Sequence, residues 1–258
     1  VPSLVERRSV RRGADRRVFF NPEGRAMSKT NAHRFVIESA QFAKLERALS
    51  VALPAAKSLG IDAGIFWLRD SIFASTPYAS IGIANFDLEL EELPECVAIS
   101  QVAARPLLFE LRTHRVSYLE KIEFVATRDQ VVFTFEYDWR SREKTPPPLI
   151  SRYSGSWRPR MTPREHYELL TAHRPYFECE LSIKDLRAKL RGHEDYGYVV
   201  LEDFPDVISH VTVSRSLLLA FLEAAKDEDT TFRLEYYGDQ RCVVCRAGDV
   251  IAILSVID

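Results

Sequence analysis

Three stretches of this chain begin in the same way. "FVIESAQFAKLERAL", "VAISQVAARPLLFEL" and "VTVSRSLLLAFLEAA" each run from alternating apolar residues, through a short polar link, into apolar residues at helical spacing. The first two starts lie roughly 60 residues apart, and the third about twice that distance further on. Each copy is followed by short strand-like runs, such as "TTFRLEYYG", "QRCVVCRAG" and "VIAILSVI" after the last. The period predicts a further copy starting near residue 158, where "RPRMTPREHYELLTAHR" has a helical pattern over 164–174 before "YFECELSI" and "YGYVVLED". Repetition of strand, helix and strands constrains the fold more than any composition does. It predicts an α+β architecture of four βαβββ units grouped as two pairs.

The helix of the first unit is expected from Gln41 to Leu53, on Phe42, Leu45, Leu49 and Leu53, with Pro54 near its end. That of the second is expected over 102–113. The segment "REKTPPPLISRYSGSWRPRMTP" lacks a helical pattern and is rich in Pro, Ser and Arg, so it reads as a connector. The expected divisions are a disordered basic arm over 1–30 ("VERRSVRRGADRR"), a first domain over 31–144, a connector over 145–160 and a second domain over 161–258.

With 258 residues and a formal net charge of −2, the chain can bury a sizeable core and has no global attraction for DNA or anionic membranes. No apolar run is long enough for a membrane span, and the arginine-rich start is unlike a signal peptide. The four cysteines are spread out, which fits free thiols in a reducing compartment.

Catalytic patterns are missing: no HExxH, no GxSxG and no phosphate-cradling glycine loop. "CVVC" at 242–245 lies inside an apolar β run, which would point its two thiols to opposite faces. Ser214 and Ser216 read as helix-capping residues. No catalytic residue, metal or cofactor is expected. An α/β enzyme using Cys242, Cys245 and scattered histidines is the alternative of another class, and a plain interaction scaffold is a further one.

Basic residues recur on the helices. Lys44 and Arg47 share a side of the first, Arg105 and Arg112 a side of the second, with Arg115 just after. Arg164 and Arg174 flank the segment read as the third, and Arg215 begins the last. If the helices share one surface, that surface is basic and suits a phosphate backbone without sequence readout.

This organisation resembles the sliding-clamp family over about residues 33–258. The last 49 or so residues, together with "VVFTFEYDWRSREKT" and "LRDSIFASTPYASIGIANF", look most like the Rad-nine subunit of the nine-one-one checkpoint clamp. Thr76-Pro77-Tyr78 departs from that subunit's hairpin turn, and Pro146, Pro147 and Pro148 occupy what would be an edge strand used in subunit pairing. The resemblance implies helices on a concave face and a non-enzymatic ring subunit acting in the DNA-damage checkpoint and repair. It implies two related subunits as ring partners, a clamp loader, and a nuclear location. A self-trimerising replication clamp, or another checkpoint subunit, is the alternative within the class. The implied DNA-facing set is Lys44, Arg47, Arg105, Arg112, Arg115, Arg164, Arg174 and Arg215. A pocket for partner peptides would use Ile81, Ile83, Leu149, Ile150, Tyr153, Trp157 and Val256, with subunit-pairing edges near 144–151 and 196–202.

Overall fold

The computed structural model describes residues 19–20, 26–27, 32–84, 86, 88, 96–127, 130–140, 145–155, 157–192, 197–201, 211–226 and 231–257. Contacts divide the chain into Val1–Asn31 and Ala32–Asp258. In the first unit, β1 (Phe19–Phe20) pairs antiparallel with β2 (Ala26–Met27). The rest of the expected basic arm lies outside the described residues, as do the Arg128-Asp129 turn, His193 and His210.

The larger unit opens with β3 (His33–Glu38), which buries Phe35 and Ile37 and exposes Arg34 and Val36, the two-residue period of a half-buried strand. The helix α1 (Ser39–Leu59) follows at once, and the Glu38 N–H donates to Gln41 Oε1 at 3.0 Å across its first turn. α1 runs six residues beyond the expected end, straight through Pro54. Proline removes one ladder bond, but Ala52, Ala55 and Ala56 are fully buried around it, and packing overrides the local cost. Gly60, at φ +103°, ends the helix in a conformation side chains rarely adopt.

Strands β4 (Gly64–Leu68), β5 (Ser71–Thr76) and β6 (Ala79–Ile83) form a meander, and β7 (Val97–Ile99) leads into α2 (Gln101–Ser117). Ser100 caps α2, its Oγ accepting the Ala103 N–H at 3.3 Å. β8 (Leu119–Ala126), β9 (Gln130–Tyr137) and β10 (Leu149–Arg152) complete the first half as two full βαβββ units. The three prolines precede β10 rather than occupying it, so its pairing with β9 over 149–152 is intact.

The second half corrects the expected register of the repeat. The helix near the predicted third start is α3 (Pro163–Leu170), short and capped by Thr162, but it does not belong to the helix layer. The third unit starts at β11 (Phe177–Ser182), with α4 (Ile183–Gly192) and β12 (Tyr198–Val200) after it. β13 (Thr212–Ser214), α5 (Arg215–Ala224), β14 (Thr231–Tyr237), β15 (Cys242–Ala247) and β16 (Val250–Ile257) form the last complete unit.

Strands β10-β9-β8-β3 make one sheet, and β11-β14-β15-β16-β6-β5-β4-β7 a larger one, with β13 also pairing β16. The β16–β6 ladder, from Val250↔Ile83 to Leu254↔Ala79, carries the large sheet from one half into the other. Its two faces are covered differently. Val250, Ala252 and Leu254 enter the main core with α1 and α5, while Ile251 and Ile253 pack with Leu170 and Tyr167 of α3. The same alternation sends Trp67 into the main core, edge-on to Phe35 and Phe124 at 5.3 and 5.4 Å, and Phe66 to the opposite face. Each such fully buried side chain contributes about 1.5–3 kcal/mol of transfer free energy.

Candidate DNA face and partner groove

Over the main-core face, α1 packs against both α2 and α5, and α5 against α4. This places four of the helices side by side, and their solvent faces form one surface. Lys44 and Arg47 are exposed on α1, and Arg47 pairs with Asp249 at 2.9 Å. On α2, Arg112 donates to Ser50 Oγ at 3.0 Å and lies 3.5 Å from Glu46. Arg105 and Arg115 are exposed on the same helix. Arg215 sits in the layer but is partly buried, with Nε donating to Leu190 O at 3.1 Å, so it ties the start of α5 to the end of α4.

Arg164 and Arg174 do not join this surface. Arg164 is on α3, across the sheet from the helix layer, paired with Glu168 at 2.9 Å, and Arg174 lies in the loop after α3. The helix that occupies the third place in the layer is α4, whose Lys184 and Arg191 are exposed. Its signal was present in "SIKDLRAKLRG": Ile183, Leu186 and Leu190 fall on one face, and Ser182 Oγ accepts the Asp185 N–H at 3.3 Å.

A groove of about 1080 Å³ opens where the end of α1, the starts of α2 and α5, the connector and the end of β16 meet. Of the seven expected pocket residues it brings together Tyr153, Trp157 and Val256. Ile81 is sealed in the main core. Ile83 lines a separate polar cavity of about 520 Å³ beside α3. Leu149 and Ile150 belong to the edge strand β10, where Ile150 is 51% exposed. Sequence reasoning missed Leu59, Ile61, Val102 and Leu217, and it met Pro77 and Tyr78 only as a departure in a turn, although that turn is a wall of the groove.

The connector wall is built rather than loose. Tyr153 and Trp157 meet the Phe66 ring edge-on at 5.2 and 5.7 Å. The Arg158 guanidinium lies 4.5 Å from the Tyr153 ring centroid and donates to the carbonyls of Gly155 at 2.7 Å, Trp157 at 3.1 Å and Tyr153 at 3.4 Å. Tyr153 OH donates to Asp62 O at 3.1 Å, and burial holds its hydroxyl above the usual tyrosine range.

Ser214 and Ser216 bond each other, Oγ to Oγ at 2.8 Å, so Ser214 occupies the N-cap position of α5 without the expected side-chain cap. Cys242 and Cys245 fall on opposite sheet faces, and both are free. Burial pushes the Cys242 thiol up to about 11 and Cys245 higher still, which disfavours the thiolates that nucleophilic or metal chemistry requires. Among the described residues no group of three or more His, Cys, Asp or Glu side chains is placed to hold a metal ion.

A helix layer over a sheet that runs through two repeat-built halves is the sliding-clamp fold. Solved bacterial clamps share it. The DNA polymerase III beta subunit of Pseudomonas aeruginosa aligns with a TM-score of 0.57 at 10% identity, over 87% of this chain and 66% of that one. The beta chain of Streptococcus pneumoniae TIGR4 gives 0.54 at 10% identity, over 92% and 68%. The Helicobacter pylori beta clamp, solved with a DNA ligase peptide bound, gives 0.52 at 11% identity, over 89% and 66%. This chain therefore spans about two thirds of the length of those clamps. No protein-family model matches the chain, and no curated protein sequence does.

Proposed function

We propose that this chain is a non-enzymatic subunit of a ring-shaped DNA sliding clamp. The observation that carries the reading is the single layer of α2, α1, α5 and α4 over a sheet continuous through β6 and β16. In a closed ring such a layer faces the duplex. Weak contacts from Lys44, Arg105 and Arg115 then suffice, because the ring holds DNA by topology and needs no sequence-specific grip. The groove at the connector is the site for partner peptides, with Tyr153 and Trp157 as aromatic anchors. The peptide seen on the Helicobacter pylori clamp supports that use.

Two assemblies compete. The resemblance to the Rad-nine subunit supports a heterotrimeric checkpoint and repair ring, loaded onto DNA in the nucleus with two related subunits. The likeness to bacterial DNA polymerase III clamps supports a replication clamp that assembles from copies of itself. In either, the open edge of β10 is the natural place for a neighbour to pair. Retention on closed circular DNA that is lost when the DNA is cut would establish the clamp, and equal retention on both would overturn it. Sedimentation of the pure chain separates the assemblies: a stable homo-oligomer excludes the checkpoint ring.

A further inference from the structure

α4 and α5 each send an arginine to the end of the other. Arg215, the first residue of α5, donates from Nε to Leu190 O in the last turn of α4. Arg187 of α4 donates from Nη2 to Leu222 O at 3.0 Å, in the last turn of α5. Both carbonyls lie at helix C-termini, where a cation is favoured. Each arginine spends one N–H of a five-donor fork, and its other donors meet no described residue. The Arg187 contact fixes which flank of α4 faces α5. Lys184 and Arg191 stand three residues before it and four after it, so they share that flank, and both are exposed. Buried Ile183, Leu186 and Leu190 set the core side, about 100° away round the helix. The three cations make a row about 10.5 Å long, and Arg215 joins it beside Leu190.

No described carboxylate pairs with any of these four, although Glu223 is exposed on α5. The first half of the layer is different: Arg47 is held by Asp249 at 2.9 Å, and Arg112 lies 3.5 Å from Glu46. Among the described residues, neither α4 nor α5 exposes a large apolar side chain, and their outer faces carry Ala188 and Ser216 instead. A lipid surface or an apolar protein partner finds nothing there to bury. A row of cations whose stems are fixed by backbone contacts suits repeated phosphates, met by charge and not read by base. We propose that the seam between α4 and α5 is a preformed phosphate seat for duplex DNA, with Lys184, Arg187 and Arg191 along one strand and Arg215 at the end of the row. The proposal rests on the clamp reading only in taking the helix layer as the face that meets DNA.

The test uses the whole chain and a labelled duplex of about 20 base pairs, with affinity read by fluorescence anisotropy between about 50 and 200 mM salt. Lys184→Gln with Arg191→Gln removes two exposed charges and neither of the carbonyl contacts, so the fold is kept. It should weaken binding by about tenfold and lower the slope of log affinity against log salt by about two. Arg164→Gln with Arg174→Gln, the same loss of charge away from the layer, should change neither. An unchanged slope in the first variant overturns the proposal. An equal change in the second also overturns it, since the effect would then follow net charge and not place. Tighter binding of the wild-type chain to anionic vesicles than to the duplex assigns the seam to another occupant and overturns it as well. Retention on closed circular DNA separates the seat from the clamp. The Lys184 and Arg191 variant should still be retained, because topology holds the ring. If the wild-type chain is not retained while the slope falls as stated, the seat stands and the clamp reading fails.

Discussion

Gln101 Nε2 donates to Gly60 O at 2.9 Å, from the first residue of α2 to the residue that terminates α1. The same amide reaches Ala56 O at 3.1 Å and Ala63 O at 3.2 Å. One side chain thus serves the Ala56 and Gly60 carbonyls, which α1 leaves without intrahelical partners at its end, and the Ala63 carbonyl in the turn that follows. It also fixes the angle between the first two helices of the layer at the mouth of the groove. Gln101→Leu keeps the volume and removes every one of these bonds. It should cost about 2–3 kcal/mol, read as a lower urea midpoint at constant slope. A cost below about 0.5 kcal/mol would mean that water replaces the amide without loss.

Arg158 holds the connector by three carbonyl contacts and by stacking on Tyr153. Arg158→Ala should loosen residues 153–160 and leave the sheets intact. Limited proteolysis should cut this segment about tenfold faster, equivalent to about 1.4 kcal/mol of local opening. A large fall in global stability in the same variant would instead place Arg158 in the cooperative core.

The two arginine pairs should separate in DNA binding. Arg105→Ala with Arg115→Ala should lower the slope of log affinity against log salt for duplex DNA by about two. Arg164→Ala with Arg174→Ala should leave it unchanged, because α3 lies across the sheet from the helix layer. Equal effects from both pairs would contradict a DNA face formed by the helices.

The buried Cys242 thiol gives a prediction at alkaline pH. Its folded pKa is raised to about 11 from an ordinary value of 9.0, so the unfolded chain loses its proton first as pH rises. Stability is then complete below pH 9 and declines towards 11, by about 1–2 kcal/mol from this residue. Cys242→Ala should flatten the curve in that window when the two unfolding free energies are compared. Identical slopes in the two proteins would show that the thiol is already solvated in the fold.

Much of the fold was legible because its elements are strongly periodic. Phe42, Leu45 and Leu49, or Leu217, Leu218 and Phe221, can make only one kind of helix face, and β15 and β16 are apolar on both faces because both are covered. The third unit was misplaced because Pro163, Thr162 and Glu165 supply stronger start signals for α3 than Ser182 and Asp185 do for α4. Local capping chemistry says where a helix begins, not on which side of a sheet it will lie. The groove was legible only in part, since Leu59, Val102 and Leu217 come from three helix ends that meet through tertiary packing. Ile81 and Ile83 lie outside the groove for the converse reason: the β16–β6 ladder holds Ile81 within the main core and sets Ile83 at the separate cavity beside α3.

That ladder has a consequence for the order in which the protein can fold. Ile81 lies opposite Ala252, a partner roughly 170 residues away along the chain. Until β16 arrives, β6 is held by β5 alone, with a bare row of backbone donors and acceptors on its other side. Closing so long a loop is slow, and its reward comes only when both halves are already formed. The halves therefore cannot mature independently, and the exposed flank of β6 is the place where a chaperone or a misfolded neighbour would first take hold.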